Sequence, residues 1–319
     1  MKNIFTLFIV SCFGYNAFAQ TTIAEGDLDN GKVLIESYLS PFGKSLGASL
    51  NNGWWNTAKP HRLGGFDITL TLNTVLIPDA GKSFNVNDVG GSSFSSNSNS
   101  TSTWVGDKTE TEINYINNSL GINEIFKMPG GTELKFVPIP MLQAGIGLIK
   151  NTEIDVRYFP SMEIEEIGDI SMLGIGLKHD ILQWFPIVDK IPIDVSIQAG
   201  YTGLKAEMTI EEQPVNLDIK VTTVNLIASK KFAMLTGYFG LGYNSSTTTF
   251  KVEKTYKIGI EGTSINFDSG DLSEINFESQ NEIRANVGLR LQLAIIAIQA
   301  NYTLSEYPVA TIGLGISIR

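Results

Sequence analysis

Apolar and polar residues alternate with a period of two through most of the chain. The pattern is cleanest where Ile191, Ile193, Val195, Ile197, Ala199 and Tyr201 oppose Pro192, Asp194, Ser196, Gln198, Gly200 and Thr202. Successive side chains of a strand point to opposite faces, so each such run predicts a strand with one apolar and one polar face. The first is Phe66, Ile68, Leu70 and Leu72 against Asp67, Thr69, Thr71 and Asn73. Similar runs occupy Leu142–Leu148, Ile154–Tyr158, Ile170–His179, Phe232–Thr249, Ile283–Leu293, Ile296–Leu304 and Val309–Ile318. One run changes parity, because Val215, Leu217, Ile219 and Val221 alternate on one phase and Val224, Leu226 and Ala228 on the other. A bulge at Thr222 and Thr223 is the expected reconciliation.

About ten strands result, within a range of 8 to 14. Their connections alternate between short turns, such as Lys150–Thr152, and long polar stretches near residues 78–131 and 252–280. Short turns at one end and long loops at the other are the habit of outer-membrane barrels. A soluble β-sandwich alternates too but does not sort its connections this way. The predicted fold is therefore all-β, a transmembrane antiparallel β-barrel over residues 63–319. The Ser- and Asn-rich tract Ser92–Thr103 is too polar to bury a core and is expected to be loosely ordered.

Ahead of the strands the period changes. Leu34, Tyr38, Phe42, Leu46 and Leu50 recur every four residues, a narrow helical stripe that Asn30 can cap. Pro41, Gly43 and Gly47 are expected to break it into short pieces, giving a short helical plug on the periplasmic side within residues 20–62. Still earlier, Met1–Ala19 carries Lys2, an apolar run and Ala17-Phe18-Ala19, the features of a cleaved signal peptide. Ile9-Val10-Ser11-Cys12 also fits a loose lipobox, which would instead leave a lipid on Cys12. Cleavage after Ala19 removes the single cysteine and with it disulfides, thiol catalysis and Cys-based metal sites.

The formal charge of −10 excludes nucleic acid and other polyanions as partners. No stretch reaches the ~20 uninterrupted apolar residues of a membrane helix, a limit that does not apply to strands. No cofactor or metal motif occurs, and neither GxSxG nor HExxH, so no catalytic residue is assigned.

Candidate residues follow from the faces. Tyr38, Phe42, Trp54, Trp55, His61, Arg62 and Asp67 are expected to hold the plug or contact a ligand, with His61 beside Asp67 able to form a breakable polar contact. The two Trp residues either meet an apolar ligand or wedge the plug into the wall. The barrel interior is expected to carry Asp155, Arg157, Asp194, Gln198, Arg284 and Arg290, with opposite charges satisfying one another across the lumen. His179 is expected at a periplasmic interface.

Two sets of motifs carry a resemblance. Ser40-Pro41-Phe42-Gly43, Asn52-Gly53-Trp54, Asn56-Thr57-Ala58-Lys59-Pro60-His61 and Gly64-Gly65-Phe66-Asp67 come first, and Pro140-Met141-Leu142-Gln143-Ala144-Gly145 and Arg157-Tyr158-Phe159-Pro160 follow. Together they resemble an uncharacterised family of outer-membrane β-barrel proteins from Bacteroidota, itself distantly similar to long-chain fatty-acid outer-membrane transporters. The chain departs from those transporters in its smaller strand number and in lacking their Asn-Pro-Ala hatch motif. The resemblance implies a porin-like protein of the Gram-negative outer membrane that binds or passively transports a small hydrophobic molecule through a plugged lumen. Outer-membrane lipid and the barrel-assembly machinery are the implied partners. A non-transporting structural or surface-display barrel is the alternative, and a barrel enzyme acting on membrane lipid a more distant one.

Overall fold

The computed structural model describes residues 25–117, 122–164, 168–185, 192–210, 213–252, 256–260, 263–267 and 274–318. The proposed signal peptide lies outside these residues. Ten antiparallel strands close into a transmembrane barrel in the order β1, β17, β16, β15, β12, β11, β10, β9, β8, β7 and back to β1. They are β1 (Phe66–Leu76), β7 (Phe136–Leu148), β8 (Thr152–Ile164), β9 (Gly168–Asp180), β10 (Asp194–Ile210), β11 (Gln213–Phe232), β12 (Leu235–Val252), β15 (Glu274–Leu293), β16 (Ile296–Leu304) and β17 (Val309–Ile318). Tight turns close three hairpins at one end, of three residues after β7 and two after β11 and β15, with Lys150, Asn151, Ala233 and Ala294 at positive φ as such turns require.

The parity change in β11 is not a bulge. Its register runs unbroken against β10 and β12 through Thr222 and Thr223. The environment reverses instead of the backbone. Near the short-turn end, Val224 and Leu226 face outward and Asn225 inward; further along, Ile219 and Val221 are buried inside and Lys220 is exposed. The same exchange occurs on β12, where Phe239 and Leu241 face out below and Phe250 faces in above. In β1 the inner face passes from Asp67, Thr69, Thr71 and Asn73 to Val75 and Ile77.

The barrel thus has two storeys. In the lower one, apolar side chains face lipid and polar ones the lumen, over about nine to eleven residues per strand, the length a tilted strand needs to cross a bilayer. In the upper one, the order is that of a soluble β protein. Outward-facing Tyr158, Tyr201, Tyr243 and Tyr302 lie near the reversal, and Trp184, Phe185 and Phe232 ring the short-turn rim. Aromatic girdles at both interfaces mark the membrane band.

The upper storey is filled by one helix, α1 (Glu25–Leu50), which contains Pro41 and is not broken by it. The sequence suggested short pieces, but tertiary packing outweighs local propensity. Leu34, Tyr38, Leu39, Phe42 and Leu50 join Val75, Met141, Met172, Ile219 and Phe250 in a single apolar core. Asn30 is inside the helix and does not cap it; its side chain donates to Ser93.

The long excursion after β1 is also more ordered than its composition suggested. It forms β2 (Ser83–Phe84), a helical turn α2 (Val86–Val89), β3 (Phe94–Ser95), β4 (Thr101–Ser102), β5 (Thr111–Asn117) and β6 (Ile122–Met128). Trp104, Val105 and Ile113 are buried in the core that α1 fills, and Ser and Thr residues of the polar tract are held by side-chain hydrogen bonds such as Ser96 Oγ to Glu112 O. The second long loop holds a hairpin of β13 (Tyr256–Ile260) and β14 (Thr263–Phe267).

Candidate functional site

The segment after α1 turns down through the lumen and reaches the opposite rim. Leu50 ends the helix and Asn52 lies beneath it, Trp54 and Trp55 stand at mid-height, Ala58 and His61 near the short turns, and Gly64 bonds to Gly147 where β1 begins. The helix therefore stands at the long-loop end, not at the periplasmic short-turn end where the sequence reading put it. Its packing against the excursion fixes that side: Tyr38 Oη donates to Gly130 O, and Phe42 packs edge-on to Trp104 with ring centroids 3.9 Å apart.

Three anchors hold the thread. At the top, Arg157 donates to the carbonyls of Leu50 (2.8 Å) and Asn52 (2.7 Å), and its guanidinium lies 3.7 Å from the centroid of the Trp54 ring. Arg284 donates to Asn52 Oδ1, Thr223 Oγ1 and Asn225 Oδ1, and Asn225 in turn donates to Gln198 Oε1. Asn73 donates to the carbonyls of Ser49 and Asn52.

At mid-height the two indoles occupy gaps in the wall made by glycines. An ideal Cβ on Gly176 or Gly200 would stand 2.8 or 2.7 Å from Trp54 carbons, and one on Gly240 would stand 2.5 Å from Trp55. Trp55 also meets Tyr238 edge-on. Of the two roles expected for these Trp residues, the wedge into the wall is the one the geometry displays.

The lowest anchor is ionic. His61 Nδ1 lies 2.7 Å from Glu153 Oε2, which also accepts the His61 backbone N–H, and Lys178 Nζ lies 2.5 Å from Glu153 Oε1. His61 Nε2 is 3.2 Å from Ser317 Oγ and 4.0 Å from Asp67 Oδ2. Glu153, and not Asp67, is thus the principal partner of His61. Asp155 accepts from Gln143 beside this cluster, and Arg290 donates to Ser317. Two expected site residues lie elsewhere: Arg62 is exposed at the rim, and Asp194 is a rim residue 3.9 Å from Lys59. His179 does sit at the short-turn end, within hydrogen-bond reach of Thr152 and accepting from Trp184.

Glu153, Lys178, Asn52, Asn73 and Asn225 were not singled out from sequence. For the four on strands the signal was parity alone, since Glu153 shares a face with Asp155 and Arg157 and Asn225 faces inward only once the reversal in β11 is known; Asn52 lies off the strands, within the Asn52-Gly53-Trp54 motif.

A second feature is a half-open cavity of about 300 Å³ at the long-loop end, where the wall is low because β16 and β17 are short. One face of α1 (Ser37, Ser40, Pro41, Lys44) lines it together with Pro78, Phe84, Glu306 and Tyr307. Lys44 and Glu306 form an ion pair at 3.2 Å. Burial and the neighbouring carboxylates Glu306 and Glu282 push the Tyr307 hydroxyl above its usual range. Burial likewise raises Glu36, whereas the hydrogen bond and charge of Lys82 lower Asp79.

Similar solved structures are outer-membrane barrels of diverse roles. The outer membrane protease OmpT from Escherichia coli is 10% identical over 80% of this chain and 96% of its own, with a TM-score of 0.31. The attachment invasion locus protein Ail of Yersinia pestis is 11% identical, covering 80% and 98%, TM-score 0.23. The translocator domain of autotransporter NalP from Neisseria meningitidis is 8% identical, covering 93% and 100%, TM-score 0.27. No activity carries over at such similarity. No curated protein matches the sequence. Residues 1–318 match a family defined from sequence, and the chain accordingly belongs to DUF6588, a family of unknown function.

Proposed function

We propose that this protein is a sealed, non-transporting barrel of the outer membrane that presents its upper storey at the cell surface. The short turns then face the periplasm, and α1, the excursion and the β13–β14 hairpin face outward, the sidedness of outer-membrane barrels. One observation carries the reading. The thread through the lumen is fixed at both ends, by the apolar core around α1 above and by its covalent junction with β1 below.

A hatch must be able to leave. If α1 swung outward, residues 51–62 would still cross the lumen; if it were drawn inward, the core of the upper storey would come apart. Passive passage of a hydrophobic molecule fits poorly with such a lumen, whose wall residues are polar and bonded to the thread.

The test is planar-bilayer conductance of the refolded mature protein beside the Thr57→Cys, Ser229→Cys variant. These two hydroxyl oxygens are 3.2 Å apart, so the cysteines can tie the thread to the wall. The expected result is a closed protein with or without the bond. Openings in the native protein that the oxidised variant lacks, and that return on reduction, would establish a moving plug and overturn the proposal.

A further inference from the structure

The cavity at the outer end takes no part in sealing the lumen, and its lining is not that of a lipid site. We propose that it binds a small, neutral, polyhydroxylated ring, a monosaccharide or the terminal sugar of a glycan, reached from outside the cell. This rests on the surface-facing orientation of the upper storey argued above.

Charge sets the class. The two ionic groups that line the cavity, Lys44 and Glu306, oppose each other at 3.2 Å, and Glu282 stands behind Glu306, outside the lining. An anion would meet Glu306, and a cation Lys44. A pair of adjacent hydroxyls can instead accept from the ammonium and donate to the carboxylate, and hydrogen bonds with one ionised partner are the stronger kind. Glu306 is itself placed by its backbone N–H, which donates to Glu282 at 2.8 Å.

The remaining walls match the two-sided character of a sugar ring. Ser37 and Ser40 supply hydroxyls from the helix, one turn apart on the face that also carries Lys44. Pro41 and Phe84 offer apolar surface to the C–H faces of a ring. The volume of about 300 Å³ stands at the lower limit of small-molecule sites, and suits one ring rather than an acyl chain. The lining comes from three separated parts of the chain, α1, the start of the excursion and the β16–β17 loop, all tied to the core of the upper storey.

The experiment uses the refolded protein in a zwitterionic detergent without a sugar headgroup. Saturation-transfer NMR is recorded with glucose, galactose, N-acetylglucosamine and a trisaccharide, beside glutamate and butyrate as charged comparators. Saturable binding of at least one sugar is expected, with a roughly millimolar Kd. Lys44→Met and Glu306→Gln are each expected to weaken it about tenfold, the loss of one charge-assisted hydrogen bond. Ser40→Trp, which fills the cavity, is expected to abolish binding while the thermal transition stays cooperative. Absence of saturable sugar binding, equal binding by wild type and Lys44→Met, or preference for a charged comparator would each overturn the proposal. Surface labelling of Val33→Cys reports separately on the orientation, so failure of the site and failure of the display reading give different results.

Discussion

His61 and Glu153, 92 residues apart in sequence, meet at 2.7 Å where the thread leaves the lumen, and Lys178 closes the group from the other side of the same carboxylate. All three side chains are buried, so one carboxylate is both the counter-charge of Lys178 and the hydrogen-bond partner of His61.

Glu153→Gln therefore removes the carboxylate that Lys178 touches, and leaves the buried ammonium with only the more distant Asp155 nearby. The expected cost is about 3–5 kcal/mol, the usual result of removing one member of a buried pair. Glu153→Met combined with Lys178→Met is expected to recover part of it, since the ammonium leaves with the carboxylate while the buried His61 backbone N–H still loses its acceptor. Urea unfolding midpoints of the three variants check both outcomes.

The glycines behind Trp54 make a second prediction. Gly176→Ala and Gly200→Ala each place a methyl group where an indole carbon already stands, and are expected to destabilise by about 1–3 kcal/mol. Gly237→Ala, whose nearest neighbour is a Leu289 methyl at 3.9 Å, serves as the comparison and is expected to change little. Heat-modifiable mobility on gels reads all three.

Alkaline pH should loosen the upper storey. The fold holds Tyr307 neutral, so the unfolded chain gives up this proton first, at about pH 10. Its folded value lies above the unfolded one; stability is accordingly unaffected by this group below pH 10 and falls as pH rises beyond it. Tyr307→Phe is expected to flatten that part of the profile, measured as melting temperature between pH 8 and 12.

Sidedness is open to direct chemistry. Val33, on α1, and Leu63, at the short-turn rim, are both exposed. A membrane-impermeant maleimide added to intact cells is expected to label Val33→Cys, and Leu63→Cys only after the outer membrane is opened. The reverse pattern would turn the barrel over.

The sequence carried most of the wall. Strands such as Ile296–Leu304 and Val309–Ile318 were readable to the residue, because lipid outside and a polar lumen inside impose strict alternation. It carried the upper storey poorly. Val215–Val221 looked out of phase because the two halves of β11 face different solvents, a difference no local rule expresses. Pro41 misled for a related reason, since its helix is stabilised by what surrounds it. The plug residues Tyr38, Phe42, Trp54, Trp55 and His61 were found from their types, whereas their partners Glu153, Lys178 and Asn225 needed strand register, which pairs residues far apart in sequence.

A thread with a helix at one end and a hydrogen-bonded strand at the other cannot be drawn into a ring that is already shut. Hauling all of α1 through the bore is avoided if residues 51–62 are laid along the open sheet before its last seam, such as that of β1 with β17, is zipped. Residues 51–62 thus act as the former around which the last seam is closed. A chain lacking them is expected to shut slowly or over an empty bore.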